Sequence, residues 1–303
     1  MNLNEWIVEE LEGTVRLDKY LAETQEDLSR SYIQQLIDEK RILVNGKAAK
    51  SSLKIKNGDT VSIDLPEAKA LEAVAEEMIL DVVYEDHDVI VINKPKGMVV
   101  HPGVGNPNGT LVNGLLYHCK DLSGINGVLR PGIVHRIDKD TTGLLVACKN
   151  DRSHESLAQQ LQDKTASRKY IALVHGTIPH EFGTIDAPIG RDEKDRQKMA
   201  VTAKNSRHAI THFKVLKRYK DMTLVECRLE TGRTHQIRVH MQYIGFPIVG
   251  DPKYSIRKTL NTNGQMLHAF ELSFIHPVTE QWMTFNAPLP KEFEEILGSL
   301  EEA

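Results

Sequence analysis

Residues 131–146 read Pro-Gly-Ile-Val-His-Arg-Ile-Asp-Lys-Asp-Thr-Thr-Gly-Leu-Leu-Val, and no other stretch of the chain is as informative. A short apolar entry leads into a polar run that only Ile137 interrupts, before an apolar strand begins at Gly143. Catalytic groups commonly lie on polar loops between buried strands. Asp138 and Asp140 are therefore candidate functional carboxylates, although an Asx turn explains either of them at least as well.

A second polar pattern covers residues 230–241, where Ile237 and Met241 lie at helical spacing. Arg238 falls inside this helix. A guanidinium buried among apolar neighbours is costly without a carboxylate partner. Asp138 is a candidate for that partner, which would keep the acid ionised. A purely structural salt bridge explains the same pattern.

Tyr170 opens an apolar strand directly after Arg168 and Lys169. An aromatic ring beside cations suits stacking on a nucleobase with phosphates nearby, although a core tyrosine with a solvated hydroxyl explains the same pattern. The surrounding stretch is strongly basic, since Lys164 to Arg218 contains twelve Lys or Arg against five Asp or Glu. We interpret this bias as an electrostatic track for RNA, with a solvated loop as the simpler alternative.

Histidine pairs occur at two spacings, but neither forms a metal motif. His235 and His240 are five residues apart, His208 and His212 are four apart, and no third ligand follows at a spacing such as H-E-x-x-H. The glycine-rich phosphate loops of dinucleotide-binding and P-loop proteins are also absent from the sequence. We therefore expect neither a metal nor another cofactor.

The composition is that of an ordinary soluble globular chain, with 303 residues of which 40% are hydrophobic and 26% charged. The 38 Lys and Arg against 42 Asp and Glu exclude a wholly basic nucleic-acid coat protein but not a basic face. No apolar run approaches the roughly 18 residues of a membrane helix, and the N-terminus lacks the basic region of a secretory signal. Three cysteines without a C-x-x-C pair predict reduced thiols. These features indicate a cytoplasmic protein with no membrane partner.

An acidic stretch divides the chain. Eight acids and one base lie between Pro66 and Asp88, together with alanines and few residues that could form a core, which is typical of a linker. At about 150 residues per domain, the length fits two domains. We therefore predict a small domain over 13–66, an acidic linker over 67–80 and a larger domain over 81–303.

The first domain is predicted to be a small α/β unit with a basic edge. Apolar residues at helical spacing predict two helices, and short strands with Asn-Gly turns follow them. The helical positions are Leu17, Tyr20 and Leu21, then Ile33, Leu36 and Ile37, with Ser29 as the N-cap of the second helix. Nine bases against six acids between Arg16 and Lys56 suit contact with a phosphate backbone. A solvated surface is the alternative.

The second domain is predicted to be α+β, built on a mainly antiparallel or mixed sheet. Nearly continuous apolar runs predict buried strands, an alternating segment predicts a hairpin, and two segments have helical periodicity. The strand segments are 88–93, 144–148, 170–175 and 282–285, the hairpin pairs 213–219 with 222–229, and the helices cover 153–161 and 234–243.

Five motifs, in order along the chain, resemble those of the RluA-type pseudouridine synthases. They are Asn93-Lys-Pro-Lys-Gly, His135-Arg-Ile-Asp-Lys-Asp-Thr-Thr-Gly, Arg168-Lys-Tyr-Ile-Ala-Leu-Val-His-Gly, Thr231-Gly-Arg-Thr-His-Gln-Ile-Arg-Val-His and Gly250-Asp-Pro-Lys-Tyr. The first domain resembles the RNA-binding domain of ribosomal protein S4 through Arg16-Leu-Asp-Lys-Tyr-Leu, Ser29-Arg30 and Val44-Asn-Gly. The resemblance covers nearly the whole chain and is greatest to the RluD-like branch, which acts on 23S ribosomal RNA. Ile137 replaces a commoner Leu, which is a conservative change.

The resemblance implies a catalytic core on a mixed, mostly antiparallel sheet, and the isomerisation of uridine to pseudouridine in RNA without a cofactor or a metal. In that reaction the nitrogen–carbon glycosidic bond breaks, the uracil turns, and a carbon–carbon bond forms. Asp138 would be the catalytic carboxylate, attacking either the anomeric carbon of the ribose or the uracil ring. Tyr170 would pack on the target base and assist proton removal from its ring, and Arg238 would pair with Asp138.

The resemblance also implies residues that contact RNA. Arg136 would help to hold the target nucleotide out of its helix, because a base inside a duplex cannot be reached. The further candidates are His135, Arg233, Arg16, Arg30, Lys40 and Arg41. The implied partner is large-subunit (23S) ribosomal RNA, free or within ribosomal precursor particles, rather than DNA, and we expect a monomer.

Three alternatives stay open. The chain could be a relative that modifies a different site in 23S ribosomal RNA or in transfer RNA. It could be a non-catalytic RNA-binding factor of ribosome assembly that kept the fold. The third alternative is a metal-dependent nuclease that uses His235, His240 and Asp138.

Overall fold

The structure is a computed structural model that describes residues 2–9, 11, 13–25, 30–65, 73–103, 105–119, 122–123, 131–195 and 197–302. The chain divides into two compact units, Met1–Ala70 and Leu71–Ala303, and each is described by itself. None of the helices in the described ranges combines the length and the apolarity needed to cross a membrane.

The first unit packs two helices against a small antiparallel sheet. Its elements in chain order are β1 (Asn2–Ile7), β2 (Val15–Arg16), α1 (Leu17–Thr24), α2 (Arg30–Asp38), β3 (Ile42–Val44), β4 (Lys47–Ala48), β5 (Lys54–Ile55) and β6 (Thr60–Leu65). The sheet has the strand order β1-β6-β3-β4, and β2 pairs separately with β5. The turn between β3 and β4 is Asn45-Gly46, and both residues have positive φ, as a two-residue hairpin requires.

The two helices of the first unit lie where the sequence predicted them. Leu17 and Leu21 of α1 and Ile33 and Leu36 of α2 are fully buried, because positions three and four apart face the same side of a helix. They form one core with residues of the strands. The predicted N-cap of α2, Ser29, lies outside the described residues.

The second unit is built on one large sheet. Its elements are β7 (Val82–Glu85), β8 (Val89–Lys94), α3 (Leu111–His118), β9 (Thr142–Cys148), α4 (Asp151–Gln162), β10 (Ser167–His175), β11 (Phe182–Asp186), β12 (Ile189–Arg191), β13 (Met199–Val201), β14 (Ile210–Arg218), β15 (Met222–Leu229), α5 (Gln236–Tyr243), β16 (Leu267–Ile275), β17 (Trp282–Asn286) and α6 (Lys291–Ser299). In the described part of the unit, this sheet has nine strands. Eight of them follow the order β11-β14-β15-β10-β16-β9-β8-β7, and the ninth, β17, pairs with β16. β12 and β13 form a separate hairpin.

This sheet is mixed and mostly antiparallel, which confirms the predicted fold class. β9 and β16 run parallel, whereas the other strand pairs recorded for the sheet are antiparallel. The continuous apolar runs of the sequence are explained by burial on both faces. In β9, for example, Leu145 and Ala147 join one core while Leu144 and Val146 join another.

β9 begins where the polar loop of residues 135–141 ends. Gly143 is in the left-handed region, with φ of 109°, and a Cβ at this position would collide with the backbone of Ala269 on β16. A glycine is therefore required for the loop to enter the sheet beside its parallel neighbour. This close approach fixes the polar loop against the carboxyl end of β8 and the start of β9.

The segment of residues 73–80 belongs to the second unit. The side-chain amide of Asn113 on α3 donates to the carbonyl of Val74 at 2.8 Å, and the amide of Glu76 donates to the carbonyl of Asn113 at 3.0 Å. Leu80 packs against the core of the unit. The sequence prediction assigned these residues to a linker over 67–80, because their acidic charge concealed the bonds that their backbone makes. The part of the predicted linker at 67–72 lies outside the described residues.

Candidate active site

The polar loop that carries Asp138 is anchored by a buried lysine at the end of β8. Lys94 is fully buried, and its ammonium donates to the backbone carbonyls of Pro95, Met98 and Lys139 at 2.8–2.9 Å. Burial lowers the pKa of Lys94 to about 7, against the opposing charges of Asp140 and Asp138. Because Lys139 directly follows Asp138, this contact holds the carboxylate in place. The sequence analysis did not single out Lys94.

Asp138 and Arg238 form the ion pair that the sequence predicted. Nη1 of Arg238 donates to Oδ2 of Asp138 at 2.9 Å, and the two side chains are 5% and 18% exposed. The remaining donors of Arg238 go to Asp251, whose side chain is fully buried: Nε donates to Oδ2 at 2.6 Å and Nη2 to Oδ1 at 2.9 Å. Although burial disfavours the charge, these hydrogen bonds and the two carboxylates raise the pKa of Arg238. Arg238 is thus a rigid bridge to Asp138.

His235 lies next to the other oxygen of Asp138. Its Nε2 is 4.0 Å from Oδ1 of Asp138, and its Nδ1 is 2.7 Å from the hydroxyl of Tyr254. That hydroxyl accepts the amide of Met199 at 2.8 Å, so we assign its own proton to the bond with Nδ1. The proton of a neutral His235 is then on Nε2, on the side of Asp138. Burial lowers the pKa of His235, which favours this neutral form.

His235 also has an uncommon backbone conformation. It precedes the first residue of α5 with φ of 58°, in the left-handed region that side chains other than glycine seldom adopt. Such strain persists only where the surroundings hold it, and it often accompanies functional sites. From the sequence, His235 was placed beside Asp138 only in the metal-dependent alternative. Tyr254 was given no role, although it lies in the motif Gly250-Asp-Pro-Lys-Tyr.

Tyr170 lies on β10 and lines a cavity that Asp138 and Arg238 also line. Tyr170 is 5% exposed, and burial raises the pKa of its phenol. The nearby charge of Arg168 opposes this rise in pKa, whereas the charge of Asp138 adds to it. The side chain of Tyr170 is therefore neutral. The described lining residues include Asp138, Tyr170, Arg238, Ile237 and Leu267, so all three predicted catalytic residues meet there.

The predicted RNA contacts around the cavity fall into two groups. Arg136 is exposed and lines the cavity, as does Arg233, whose Nε donates to the carbonyl of His208 at 3.0 Å. His135 is buried, and its Nε2 accepts the amide of Val146 at 3.1 Å. The ring of His135 is therefore inside the domain rather than on the surface of the polar loop, and its contact with RNA stays a prediction.

Three of the four candidates in the first unit have described side chains, and these lie at or near its surface. Arg16 is paired with Asp18 and Arg41 with Asp64, each at 2.8 Å. Lys40 is exposed and has a positive φ. Arg30 begins α2, and its side chain lies outside the described residues. Contact of these residues with RNA stays a prediction.

The metal-dependent alternative does not fit the histidines it needs. His240 is fully buried, with Nδ1 2.9 Å from the hydroxyl of Thr211 and Nε2 2.9 Å from the carbonyl of Ala187. Both ring nitrogens are thus engaged in hydrogen bonds. A metal held by Asp138, His235 and His240 would have to break this packing.

Comparisons with known proteins agree with this geometry. A family model described as RNA pseudouridylate synthase matches residues 88–243, and one described as S4 domain matches residues 15–61. The chain is 58% identical over 300 residues to a Bacillus subtilis protein named uncharacterized RNA pseudouridine synthase YlyB, with 99% of each chain covered. It is 43% identical to a Zymomonas mobilis protein named ribosomal large subunit pseudouridine synthase D, over 97% of this chain and 96% of that one.

A solved structure shows the same fold. Human RNA pseudouridylate synthase domain containing 4 superposes with a TM-score of 0.56 and 26% sequence identity, over 73% of this chain and 93% of that one. The motifs of the sequence, the mixed sheet and these relatives agree. The chain therefore belongs to the RNA pseudouridylate synthase family and has an S4 domain near its N-terminus, as its motifs predicted.

Proposed function

We propose that this chain isomerises uridine to pseudouridine in large-subunit ribosomal RNA, with Asp138 as the catalytic carboxylate. The observation that carries the proposal is the position of Asp138 in a cavity that Tyr170 also lines, where Arg238 holds one of its oxygens. Arg238 is itself fixed by Asp251, so the second oxygen of Asp138 keeps a defined direction.

The reaction needs a carboxylate, a way to turn the base and a way to remove one proton. Asp138 attacks either the anomeric carbon of the ribose or the uracil ring, and the bond between N1 and the ribose breaks. After the uracil turns, C5 bonds to the anomeric carbon and the bond to Asp138 breaks. C5 then loses its proton and N1 gains one, so the product is an isomer of uridine. Tyr170, buried and neutral, packs on the base and assists removal of that proton.

The target nucleotide has to leave its helix to enter the cavity. Asp138 is mostly buried, and base pairs in a duplex cannot reach a group at that depth. Arg136 is exposed beside the cavity, where a guanidinium can occupy the space that the flipped base vacates and contact the strand. Arg233, at the start of the pattern that forms α5, contributes a second positive charge.

The S4 domain and the name of the Zymomonas mobilis relative support ribosomal RNA as the substrate class. We assign the reaction to the large-subunit RNA, free or within precursor particles, in the cytoplasm, and we assign the active form as a monomer. The three cysteines support a reducing compartment because Cys119, Cys148 and Cys227 are buried and none of the three forms a disulfide. Burial raises the pKa of Cys148 and of Cys227 to about 12, which makes both thiols unreactive.

The decisive experiment maps pseudouridine in ribosomal and transfer RNA from cells with the wild-type gene, without it, or with Asp138→Asn. We expect loss of pseudouridine at one or a few large-subunit positions in the last two, and unchanged RNA affinity of the purified variant. Asp140→Asn is the matched control, because Asp140 is in the same loop but does not line the cavity. Turnover by Asp138→Asn would refute the assigned mechanism.

The same experiment separates the alternatives. Loss of pseudouridine in transfer RNA alone, or at another large-subunit site, would identify a relative with a different substrate. If the purified wild-type protein does not modify unmodified ribosomal RNA, the remaining explanation is a non-catalytic assembly factor. Activity that survives chelation would remove the metal-dependent nuclease.

A further inference from the structure

Arg168 is a buried guanidinium without a carboxylate partner among the described residues. It is 8% exposed, and its Nε is buried with no hydrogen-bond acceptor. Burial lowers its pKa, and the group that opposes this shift is Tyr170 rather than an acid. An unpaired buried charge is strongly destabilising, so proteins seldom retain one without a use.

His135 supplies a second donor of the same kind. Since its Nε2 accepts the amide of Val146, the proton of the neutral ring is on Nδ1. Nδ1 is buried and has no partner in the described part of the chain. Burial, with the nearby charge of Arg168, lowers the pKa of His135 to about 3, so the ring is neutral at physiological pH. His135 thus presents an N–H donor that none of the described residues accepts.

Both side chains line one further cavity beside the active site. The residues described around this second cavity include no Asp and no Glu. It shares Arg136, Arg168 and Gly232 with the cavity of Asp138, so the two spaces adjoin at these residues. Donors without acceptors, one of them a cation, are the chemistry of an anion site.

Gly232 shows that the backbone leaves room for this guanidinium. A Cβ at Gly232 would lie 2.7 Å from Nη1 of Arg168, closer than real side chains approach. The absence of a side chain at this position therefore lets the guanidinium reach the boundary between the two cavities. The space for Arg168 thus depends on a residue far from it in sequence.

We propose that Arg168 and the Nδ1–H of His135 bind a phosphodiester of the RNA strand directly next to the target uridine. This inference rests on the proposed function, because the uridine has to occupy the cavity of Asp138 for its flanking phosphate to reach the adjoining one. Phosphate contacts fix the register of a nucleic acid without reading its bases. The site therefore places the flipped nucleotide over Asp138, and Arg168 and His135 are positioning residues.

The test uses an RNA fragment that the wild-type protein is first shown to convert. Each phosphodiester flanking the target uridine is replaced in turn by an uncharged methylphosphonate, and binding is measured in the Asp138→Asn background so that no turnover occurs. We expect one replacement to weaken binding about tenfold, and Arg168→Gln to weaken binding of the unmodified RNA to a similar extent. In Arg168→Gln that same replacement then has no further effect.

Arg152→Gln is the matched control, because Arg152 is an exposed arginine on α4 outside both cavities. It should retain the full methylphosphonate effect. Gly232→Ala is a second variant that keeps the charge but displaces the guanidinium. In the active background it should raise KM several-fold with little change in kcat, and it covers the case that Arg168→Gln does not fold.

The outcomes separate the two proposals. If the wild-type protein converts no RNA, the proposed function fails and this inference fails with it. If the protein converts the RNA but each methylphosphonate weakens binding equally with and without Arg168, only the phosphate site is refuted. A fall in kcat with unchanged KM in Gly232→Ala would also refute it, since that pattern indicates a role in the chemical step.

Discussion

Arg238 gives two of its donors to Asp251 and only one to Asp138. The two contacts with Asp251 measure 2.6 and 2.9 Å and fix the orientation of the guanidinium plane. The single contact with Asp138 measures 2.9 Å. Asp251 also accepts hydrogen bonds from the amides of Lys253 and Tyr254, so the same carboxylate holds the turn that follows α5. The orientation of Asp138 therefore depends on a residue that has no access to the substrate.

Asp251→Asn should lower kcat without removing the catalytic carboxylate. The variant leaves Arg238 with one charged partner, and its amide group opposes one of the guanidinium donors. A displacement of about 1 Å at a reacting group can cost on the order of 100-fold in rate, and we expect a loss of that size with RNA affinity nearly unchanged. Single-turnover kinetics and equilibrium binding on the same RNA measure both quantities. A kcat within twofold of wild type would show that Asp138 does not depend on this bridge.

Tyr254→Phe should disturb Asp138 through His235. Without the hydroxyl, Nδ1 of His235 loses its donor and the ring is free to adopt the other tautomer, which puts a lone pair on the side of Asp138. The loss of one hydrogen bond of about 1 kcal/mol corresponds to about a fivefold lower kcat. Long-range proton–nitrogen NMR of labelled histidine should show the Nε2–H tautomer in wild type and a mixture in the variant. An unchanged tautomer with a lower kcat would assign the effect to packing alone.

Lys94→Met should lower the free energy of unfolding of the second unit. The substitution leaves three backbone carbonyls, those of Pro95, Met98 and Lys139, without the ammonium that now bonds to them. At about 1–3 kcal/mol for a buried polar group without a partner, we expect a loss of about 3 kcal/mol in the free energy of unfolding. Lys139→Met, at an exposed position of the same loop, is the control and should change stability by less than about 0.5 kcal/mol. Calorimetry of the full chain measures both, and equal effects would contradict the prediction.

The pairing of Asp138 with Arg238 could be predicted from the sequence because a buried guanidinium in a helix needs an acid, and the motifs offered one. The role of Asp251 could not, since a side chain thirteen residues beyond Arg238 meets it only through the turn after α5. Arg168 was assigned to a basic track for RNA, with a solvated loop as the alternative, because its neighbours in sequence are charged. Only the position of β10 between β15 and β16 shows that its side chain is buried.

Charge patterns do not predict the structure where backbone hydrogen bonds decide it. The acidic segment 73–80 has the composition of a linker, yet Val74 and Glu76 are hydrogen-bonded to Asn113. His135 stands between apolar and basic residues, and its burial depends on the amide of Val146 across the loop. In both cases the partner is distant in sequence, so periodicity and composition contain no signal for it.

The neutral form of His135 predicts how stability depends on pH. Its pKa is about 3 in the folded chain and about 6.5 in an unfolded one. Between these values the unfolded state binds a proton that the folded state does not, so the free energy of unfolding falls as the pH falls, by up to about 1.4 kcal/mol per pH unit.

His135→Gln keeps a neutral acceptor for the amide of Val146 and removes this proton. We expect the stability advantage of wild type over His135→Gln, measured by urea unfolding, to be constant above pH 7 and to shrink steadily from pH 6 to pH 4. An advantage that stays constant over that range would mean that the ring is protonated in the folded chain. His135 would then not offer the neutral Nδ1–H donor on which the proposed phosphate site depends.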